Sequence, residues 1–166
     1  MNVSEAVRTR KSIRAFLDRP VDEGVLREVL TAAARAPSGG NLQSWRLFVL
    51  TGASLSEFRG RMRQRLREAP LGEPVEYDIY PPNLHEPYRS ERFKVGEQMY
   101  ALLGAPREDK AGRLRQFANN YRFFGAPVAL FFAIDRQMGI DQWADLGMFM
   151  QSVMLMARKP SSTISS

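Results

Sequence analysis

Apolar side chains recur every three or four positions along much of this chain, a spacing that is typical of amphipathic helices. Residues 45–51 and 127–134 are instead apolar and β-prone throughout, which predicts two strands. The second strand is apolar on both faces, so we expect it to be central in its sheet. We expect Ser4 and Asp141 to cap the first and last helices. The predicted helices cover residues 4–16, the segment from Asp22 to the residue before Pro37, and residues 55–66, 91–103, 108–119 and 141–154.

Residues 70–90 interrupt this pattern with five prolines. Proline has no backbone N–H and disrupts both helices and strands. We therefore expect a long irregular loop over the surface, of the kind that covers a site or contacts a partner. Tyr77, Tyr80 and Tyr88 fall in this loop, where they either line a substrate entrance or pack on the surface.

Composition excludes several classes of site. The 166 residues suit one domain, and 44% are hydrophobic, so the chain can build a core. The chain has no cysteine and one histidine, which excludes disulfides, thiolate metal sites and multi-histidine metal sites. The longest mostly apolar run, residues 123–134, is interpreted as a buried strand because a membrane span needs about 20 residues. We expect a cytoplasmic protein that binds no metal and no membrane.

The excess of positive over negative charge is confined to the first part of the chain. Residues 1–70 contain 13 Lys and Arg against 7 Asp and Glu, whereas residues 71–166 contain 11 of each. This asymmetry indicates an anionic partner, either a nucleic acid or a phosphorylated small molecule. A run of alternating arginines from Arg59 to Arg67 and the pI of 10.1 are the basis for the nucleic-acid alternative. A solvated helix face explains the same run, and we prefer that interpretation.

Three cations and a hydroxyl occur within five residues at Arg10, Lys11, Ser12 and Arg14, here named the cation segment (residues 10–14). In a helix or a tight turn, Arg10 and Arg14 would lie on one side. The planar fork of an arginine matches a phosphate, and a serine adds a short donor. A solvated basic face is the alternative interpretation.

A second polar cluster lies between the second predicted helix and the first strand, here named the glycine loop (residues 36–45). Its two glycines allow the backbone to approach a flat ligand closely. Ser38, Asn41 and Gln43 supply groups that can pair with the polar edge of a heterocycle. An ordinary connection between a helix and a strand is the alternative.

The two clusters together, with their spacing, resemble the FMN-dependent nitroreductase family, in its nitrobenzoate-reductase-like branch. The resemblance extends from about Val7 to Gln151 and includes the segments 123–128 and 143–147. It implies an α+β fold with a central mixed sheet flanked by helices, and a homodimer with FMN at the interface. It also implies an NAD(P)H-dependent oxidoreductase that reduces nitroaromatic or quinone-like acceptors by ping-pong hydride transfer, with no catalytic side chain.

The resemblance also assigns residues to the cofactor. By motif match, Arg10, Lys11, Ser12 and Arg14 hold the FMN phosphate and ribityl chain. Three residues of the glycine loop reach the flavin from the other subunit, and two more lie near the ring or support the loop. Asn119 matches a position that pairs with the pyrimidine edge. The three loop residues that reach the flavin from the other subunit are Pro37, Ser38 and Gly39. The two that lie near the ring or support the loop are Asn41 and Gln43.

The resemblance fails near Met156. We expect a partial nitroreductase-like domain over residues 1–157 and an unrelated serine-rich tail over residues 158–166, as in a truncated or frameshifted coding region. The late helix would then lack part of its apolar partner. The alternative function is an inactive flavin-binding or dimerisation remnant.

Overall fold

A computed structural model describes residues 2–70 and 72–158, so all but the first residue of the predicted serine-rich tail lies outside the described residues. These residues fall into two units, one formed by residues 2–56 and 126–158 and the other by residues 57–125. Short 3-10 segments, Gly39–Asn41 and Asn119–Gly125, lie ahead of the two strands. The elements in chain order are α1 (Val3–Thr9), α2 (Glu23–Ala33), β1 (Arg46–Thr51), α3 (Gly52–Glu68), α4 (Tyr88–Leu102), α5 (Lys110–Ala118), β2 (Val128–Ala133) and α6 (Ile140–Met156).

The sheet of the first unit consists of β1 and β2, paired antiparallel with Arg46 opposite Ala133 and Thr51 opposite Val128. Both strands begin and end within a residue of the predicted stretches. The predicted α+β class is confirmed. Within the described residues the sheet is antiparallel rather than mixed, and β2 has one neighbour instead of a central place, because those residues supply no further strand.

The core of the first unit forms where α2 and α6 pack together and onto the sheet. Ala33, Phe149 and Val153 are its buried members. The Phe149 ring stacks on Trp45, with centroids 4.9 Å apart, and meets Phe132 edge-on at 5.4 Å. The partly buried side chains around them are Val29, Leu30, Ala34, Ala36, Trp45, Leu47, Leu130 and Phe132. The helical spacing of apolar residues in α2 and α6 therefore correctly predicted Ala33, Phe149 and Val153 as core residues, whereas the equally apolar Trp143, Met150 and Met154 of α6 are exposed.

The first helix is shorter than predicted. It is capped by Asn2, whose side chain accepts a hydrogen bond from Glu5 N at 2.9 Å, and not by Ser4. It ends at Thr9, and Arg10 already has an extended backbone with ψ of 130°. Continuing the helix would bring the like charges of Arg10 and Arg14 together on one face, which is unfavourable. The cation segment thus lies outside any helix or strand.

Two other local predictions are wrong at their ends. Phe123 and Phe124 do not begin a strand, because both have left-handed backbones with φ of 53° and 51°. The last helix has Gly139 rather than Asp141 at its cap position, and Gly139 N donates to Gln142 Oε1 at 3.0 Å. Asp141 lies in the first turn, where its negative charge interacts favourably with the positive end of the helix dipole.

In the second unit, an ion pair between Arg113 and Glu97 connects α4 and α5. Arg113 donates to both carboxylate oxygens of Glu97, at 2.7 and 3.0 Å, and its guanidinium lies 4.2 Å from the ring centre of Tyr100. The hydrogen bonds from Arg113 lower the pKa of Glu97, and those same bonds raise the pKa of Arg113. This contact ties the two helices together because it satisfies both charges.

The proline-rich stretch of the second unit is irregular, as predicted: residues 72–87 form no helix or strand. The three tyrosines expected there are all exposed, and Tyr88 belongs to the first turn of α4 rather than to the loop. Arg92 lies 3.9 Å from the ring centre of Tyr80. Surface packing therefore accounts for Tyr80.

The arginine-rich face of α3 is partly neutralised within the second unit. Arg61 pairs with Glu57 at 2.6 Å, and Arg65 pairs with both Glu68 and Glu73. These exposed pairs are typical of a solvated helix surface. They weaken the basis for the nucleic-acid alternative.

Candidate functional site

The cation segment lies fully on the surface of the first unit. Arg10, Lys11, Ser12 and Arg14 are all exposed. Arg14 Nη1 donates to the carbonyl oxygen of Ser12 at 3.3 Å. Within residues 2–70 and 72–158, the side chains of Arg10 and Lys11 form no ion pair or hydrogen bond. The Arg10 guanidinium and the Lys11 ammonium are thus available to bind an anion.

The glycine loop turns sharply between α2 and β1. Ser38 is extended, with φ of −145° and ψ of 145°, whereas Gly40, Asn41 and Gln43 have φ of 57°, 56° and 47°. Such left-handed backbones are favourable for glycine, tolerated by asparagine and uncommon for glutamine. The loop therefore carries backbone strain at two non-glycine positions.

Internal hydrogen bonds connect the predicted loop residues to one another. Ser38 Oγ accepts from Gln43 N at 3.0 Å, and Gln43 Nε2 donates to Asn41 Oδ1 at 3.0 Å. Gln43 thus forms hydrogen bonds within the loop to both Ser38 and Asn41, and the roles expected for Asn41 and Gln43 toward the flavin stay predictions. Pro37 directly precedes Ser38, and its ring limits the backbone at the start of the turn.

A residue to which the sequence analysis gave no role holds this loop from α6. Asp145 Oδ2 accepts a hydrogen bond from Gly39 N at 3.1 Å, across 106 positions of sequence. Asp145 is only 5% exposed. A sequence signal was present, because a single acidic residue interrupts the apolar face that continues through Phe149 and Val153.

Asn119 lies in the second unit, where it caps the end of α5. Its Nδ2 atom donates to Gln116 Oε1 at 3.1 Å. The neighbouring Asn120 instead donates to the carbonyl oxygen of Phe117 at 2.8 Å. The two asparagines are therefore distinguished by their partners, and the flavin role of Asn119 stays a prediction.

The residues of the first unit fit a flavin mononucleotide. A phosphate needs cationic donors, and the exposed Arg10 and Lys11 supply them. A flat ring needs a backbone that it can approach, and a Cβ added at Gly40 would meet no atom within 4 Å.

The described residues provide neither a cluster of metal ligands nor a membrane-spanning helix. The described part of the chain contains no group of three or more His, Cys, Asp or Glu side chains placed to hold a metal ion. Among its helices, none combines the length and the hydropathy that crossing a membrane requires.

Comparison with known proteins identifies relatives along almost the whole chain. A nitrobenzene nitroreductase of Ectopseudomonas oleovorans is 38% identical over 159 residues, which are 94% of this chain and 69% of that protein. A 4-nitrobenzoate reductase of Pseudomonas putida is 37% identical over 155 residues, 92% of this chain and 66% of that protein.

Solved structures give the same result for the fold. The FMN and NADPH-dependent nitroreductase NfnB from Sphigopyxis sp. strain HMH superposes with a TM-score of 0.90 at 51% identity, over 94% of this chain and 70% of that one. NfnB from Mycobacterium smegmatis, solved with NADPH, superposes with a TM-score of 0.85 at 24% identity, over 93% of this chain and 71% of that one. The Nitroreductase family model matches residues 7–159. This chain therefore belongs to the nitroreductase family.

Proposed function

We propose that this protein is an FMN-dependent NAD(P)H oxidoreductase that reduces nitroaromatic or similar electron-poor acceptors, quinone-like compounds included. The observation that carries the proposal is its 51% identity and TM-score of 0.90 to an FMN and NADPH-dependent nitroreductase. Two curated relatives that act on nitroaromatic compounds by name, at 38% and 37% identity, support the same substrate class. An inactive remnant is the less favoured alternative.

The cation segment would hold the phosphate end of the cofactor. Arg10, Lys11 and Arg14 are exposed cationic donors on a stretch that belongs to no helix or strand, so their charged groups are accessible to an anion. Ser12 lies between them and can add a short hydroxyl donor. Charge-assisted bonds of this kind are about twice as strong as neutral ones, which suits a segment that must retain a dissociable cofactor.

The glycine loop would cover the ring end, reaching it from the other subunit of a homodimer. Pro37, Ser38 and Gly39 would approach the flavin with their backbone, while the bonded pair of Asn41 and Gln43 keeps the turn in shape. Asn119 is our candidate for the pyrimidine edge. Supply of one site by two subunits would explain why the Arg10 and Lys11 side chains lie exposed, with no hydrogen bond or ion pair to any other described residue.

FMN, when bound, supplies the redox chemistry by accepting a hydride from NAD(P)H and passing electrons to the acceptor. The chain itself then needs only to bind the cofactor, orient it toward its substrates and enclose it. Its backbone N–H groups and cations are the groups able to do so. Because NAD(P)H is the reductant, we place the enzyme in the cytoplasm.

Flavin titration of the full chain tests the proposal. Purified protein should bind FMN and turn yellow, and NAD(P)H should bleach it. Replacing Arg10 or Arg14 with alanine should weaken FMN binding about ten- to a hundredfold each, because each loses a charge-assisted phosphate bond of about 1.5–3 kcal/mol. Arg27→Ala removes an equal charge from α2, where Arg27 pairs with Glu23, and should leave FMN affinity unchanged.

Three results would separate the alternatives. Equal FMN affinity for the parent chain and the Arg10→Ala/Arg14→Ala double variant would contradict the phosphate assignment. Yellow protein that NAD(P)H fails to bleach would support the inactive remnant. Continued oxidation of NAD(P)H, beyond one equivalent per FMN, on addition of nitrobenzene would support the enzyme.

A further inference from the structure

Asp145 is the one charged or polar residue that is buried in the part of the chain that the structure describes, with 5% of its surface exposed. Burying a carboxylate is costly unless a donor satisfies it. The donor here is the backbone N–H of Gly39, 3.1 Å from Oδ2, in the middle of the glycine loop. A buried charge whose described partner is a loop backbone is difficult to explain by core packing alone.

The same face of α6 contacts the loop a second time. Asp145 and Phe149 are four residues apart, so they lie one above the other on the helix. Phe149 stacks on Trp45, the last residue of the glycine loop, with 4.9 Å between ring centres. One helix face therefore holds the loop at its middle and at its end.

The part of the loop between these two contacts is the strained part. Gly40, Asn41 and Gln43 all have positive φ, and strained backbone persists only when its surroundings over-determine it. The internal bonds of Ser38, Asn41 and Gln43 close the turn on itself but do not fix where it lies. A bond from outside the loop does that, and it reaches the residue directly before Gly40.

We propose that Asp145 is a positioning residue for cofactor binding, holding the glycine loop in the conformation that meets the flavin. The inference rests on the proposed function, because the ligand of the loop is FMN only if that function holds. Asp145 acts through Gly39 and touches no reacting atom. Its contribution is pre-organisation: a loop already held in place loses less conformational freedom when the ligand arrives.

Variants of the carboxylate provide the first test. Asp145→Ala removes the acceptor and should weaken FMN binding about tenfold or more, the loss expected for a hydrogen bond to a charged group. Asp145→Asn keeps an oxygen that can accept from Gly39 N, so it should restore most of the affinity. Asp141→Asn is the matched control, since Asp141 is exposed on the same helix, and it should bind FMN like the parent.

Variants of the donor provide the second test. Gly39→Pro replaces the amide hydrogen with a ring carbon, which both removes the donor and forces the Asp145 carboxylate away from the loop; the preceding Ser38 is already extended, the backbone that proline requires before it. Gly39→Ala keeps the N–H, and its added Cβ meets Asp145 at an ordinary 4.0 Å. FMN binding should fall further in Gly39→Pro than in Gly39→Ala. Adding Asp145→Ala to Gly39→Pro should cost little more, because both changes break one bond.

Hydrogen exchange of the protein without FMN gives a readout that does not depend on the cofactor. Peptides from the glycine loop should exchange faster in Asp145→Ala than in the parent or in Asp141→Asn. Visible circular dichroism of bound FMN should change in Asp145→Ala and recover in Asp145→Asn. If Asp145→Ala does not fold, the comparison of Gly39→Pro with Gly39→Ala decides alone.

The proposal is overturned if Asp145→Ala leaves FMN affinity and loop exchange unchanged, or if the effects of Asp145→Ala and Gly39→Pro simply add. It is also overturned if Asp145→Asn weakens binding as much as Asp145→Ala. Failure of the proposed function looks different: neither the parent nor any variant binds FMN. In that case, faster hydrogen exchange of the glycine loop in Asp145→Ala would still support the claim that Asp145 positions the loop, and unchanged exchange would refute that claim.

Discussion

Replacing Phe149 with alanine should destabilise the first unit more than any comparable aromatic change outside its core. Phe149 is 2% exposed, and its ring contacts Trp45 and Phe132 at 4.9 and 5.4 Å. It thereby joins α6 both to β2 and to the end of the glycine loop, just ahead of β1. The substitution removes all of these contacts and leaves a cavity where they meet.

The expected loss can be estimated from burial and ring contacts. A buried Phe→Ala change costs about 3–5 kcal/mol, combining lost transfer energy with the cavity left behind. Two favourable aromatic pairs, one stacked and one edge-on, place Phe149 in the upper part of that range, at about 4–5 kcal/mol. At about 2–4 °C per kcal/mol for a chain of this size, Tm should fall by about 8–20 °C.

Urea and thermal unfolding of the full chain, followed by far-UV circular dichroism, measure this loss. Phe48→Ala is the control because Phe48 is the same residue type in the same unit but is 57% exposed. Its cost should stay below about 1 kcal/mol. If Phe149→Ala and Phe48→Ala lower the midpoint equally, the core does not lie where α6 meets the sheet, and the packing argument fails.

Two further predictions concern the second unit. Gly96→Ala in α4 should raise stability by about 0.5–1 kcal/mol, since nothing lies within 4 Å of the new Cβ and alanine favours helices. Gly112→Ala in α5 should give no such gain, because its new Cβ displaces the Asp109 carboxylate that caps α5, and losing that cap costs about 0.5–2 kcal/mol. Urea unfolding measures both variants, and equal gains in stability from Gly96→Ala and Gly112→Ala would refute this explanation. Glu97→Gln should be less stable than the parent at pH 7, since the hydrogen bonds from Arg113 hold the pKa of Glu97 below its ordinary value of about 4.3. A carboxylate whose pKa is lower in the folded state than in the unfolded state stabilises the protein above its unfolded pKa, and it loses that effect as the pH falls through its folded pKa. The difference in stability between the parent and Glu97→Gln should therefore close below about pH 4. A difference that is unchanged at about pH 3 would contradict the ion pair.

Periodicity in the sequence predicted the elements well because local geometry decides them. A repeat of three to four along α2 and α6 identified the faces that meet at Ala33 and Phe149, and two runs of β-prone residues identified both strands. Element ends were less predictable. Ser4, Asn2 and Asp141 can all cap a helix, and only the surrounding chain decides which of them does.

Electrostatic context explains the main error in the site. The cation segment contains acceptable helix formers, so its residues alone permit a helix. Repulsion between Arg10 and Arg14 on one helix face argues against it, and the chain becomes extended at Arg10.

The role of Asp145 was beyond sequence reasoning because its partner is 106 positions away and is a backbone N–H, which no residue type reveals. What the sequence did contain was an acidic residue on a helix face otherwise formed by Leu146, Phe149 and Val153. Such an interruption is unfavourable for packing, so it indicates that the position serves a polar partner.

Because one face of α6 builds the core through Phe149 and holds the glycine loop through Asp145, stability and cofactor affinity should be coupled in this protein. A ligand that binds only the folded chain stabilises it by RT ln(1 + [L]/Kd). Saturating FMN should therefore recover less stability in Asp145→Ala than in the parent, because the weaker Kd reduces that term. In Phe48→Ala, FMN should recover as much as in the parent. A positioning role thus predicts a loss of FMN-dependent stabilisation that is larger than the loss of stability without FMN, whereas a purely structural role predicts the reverse.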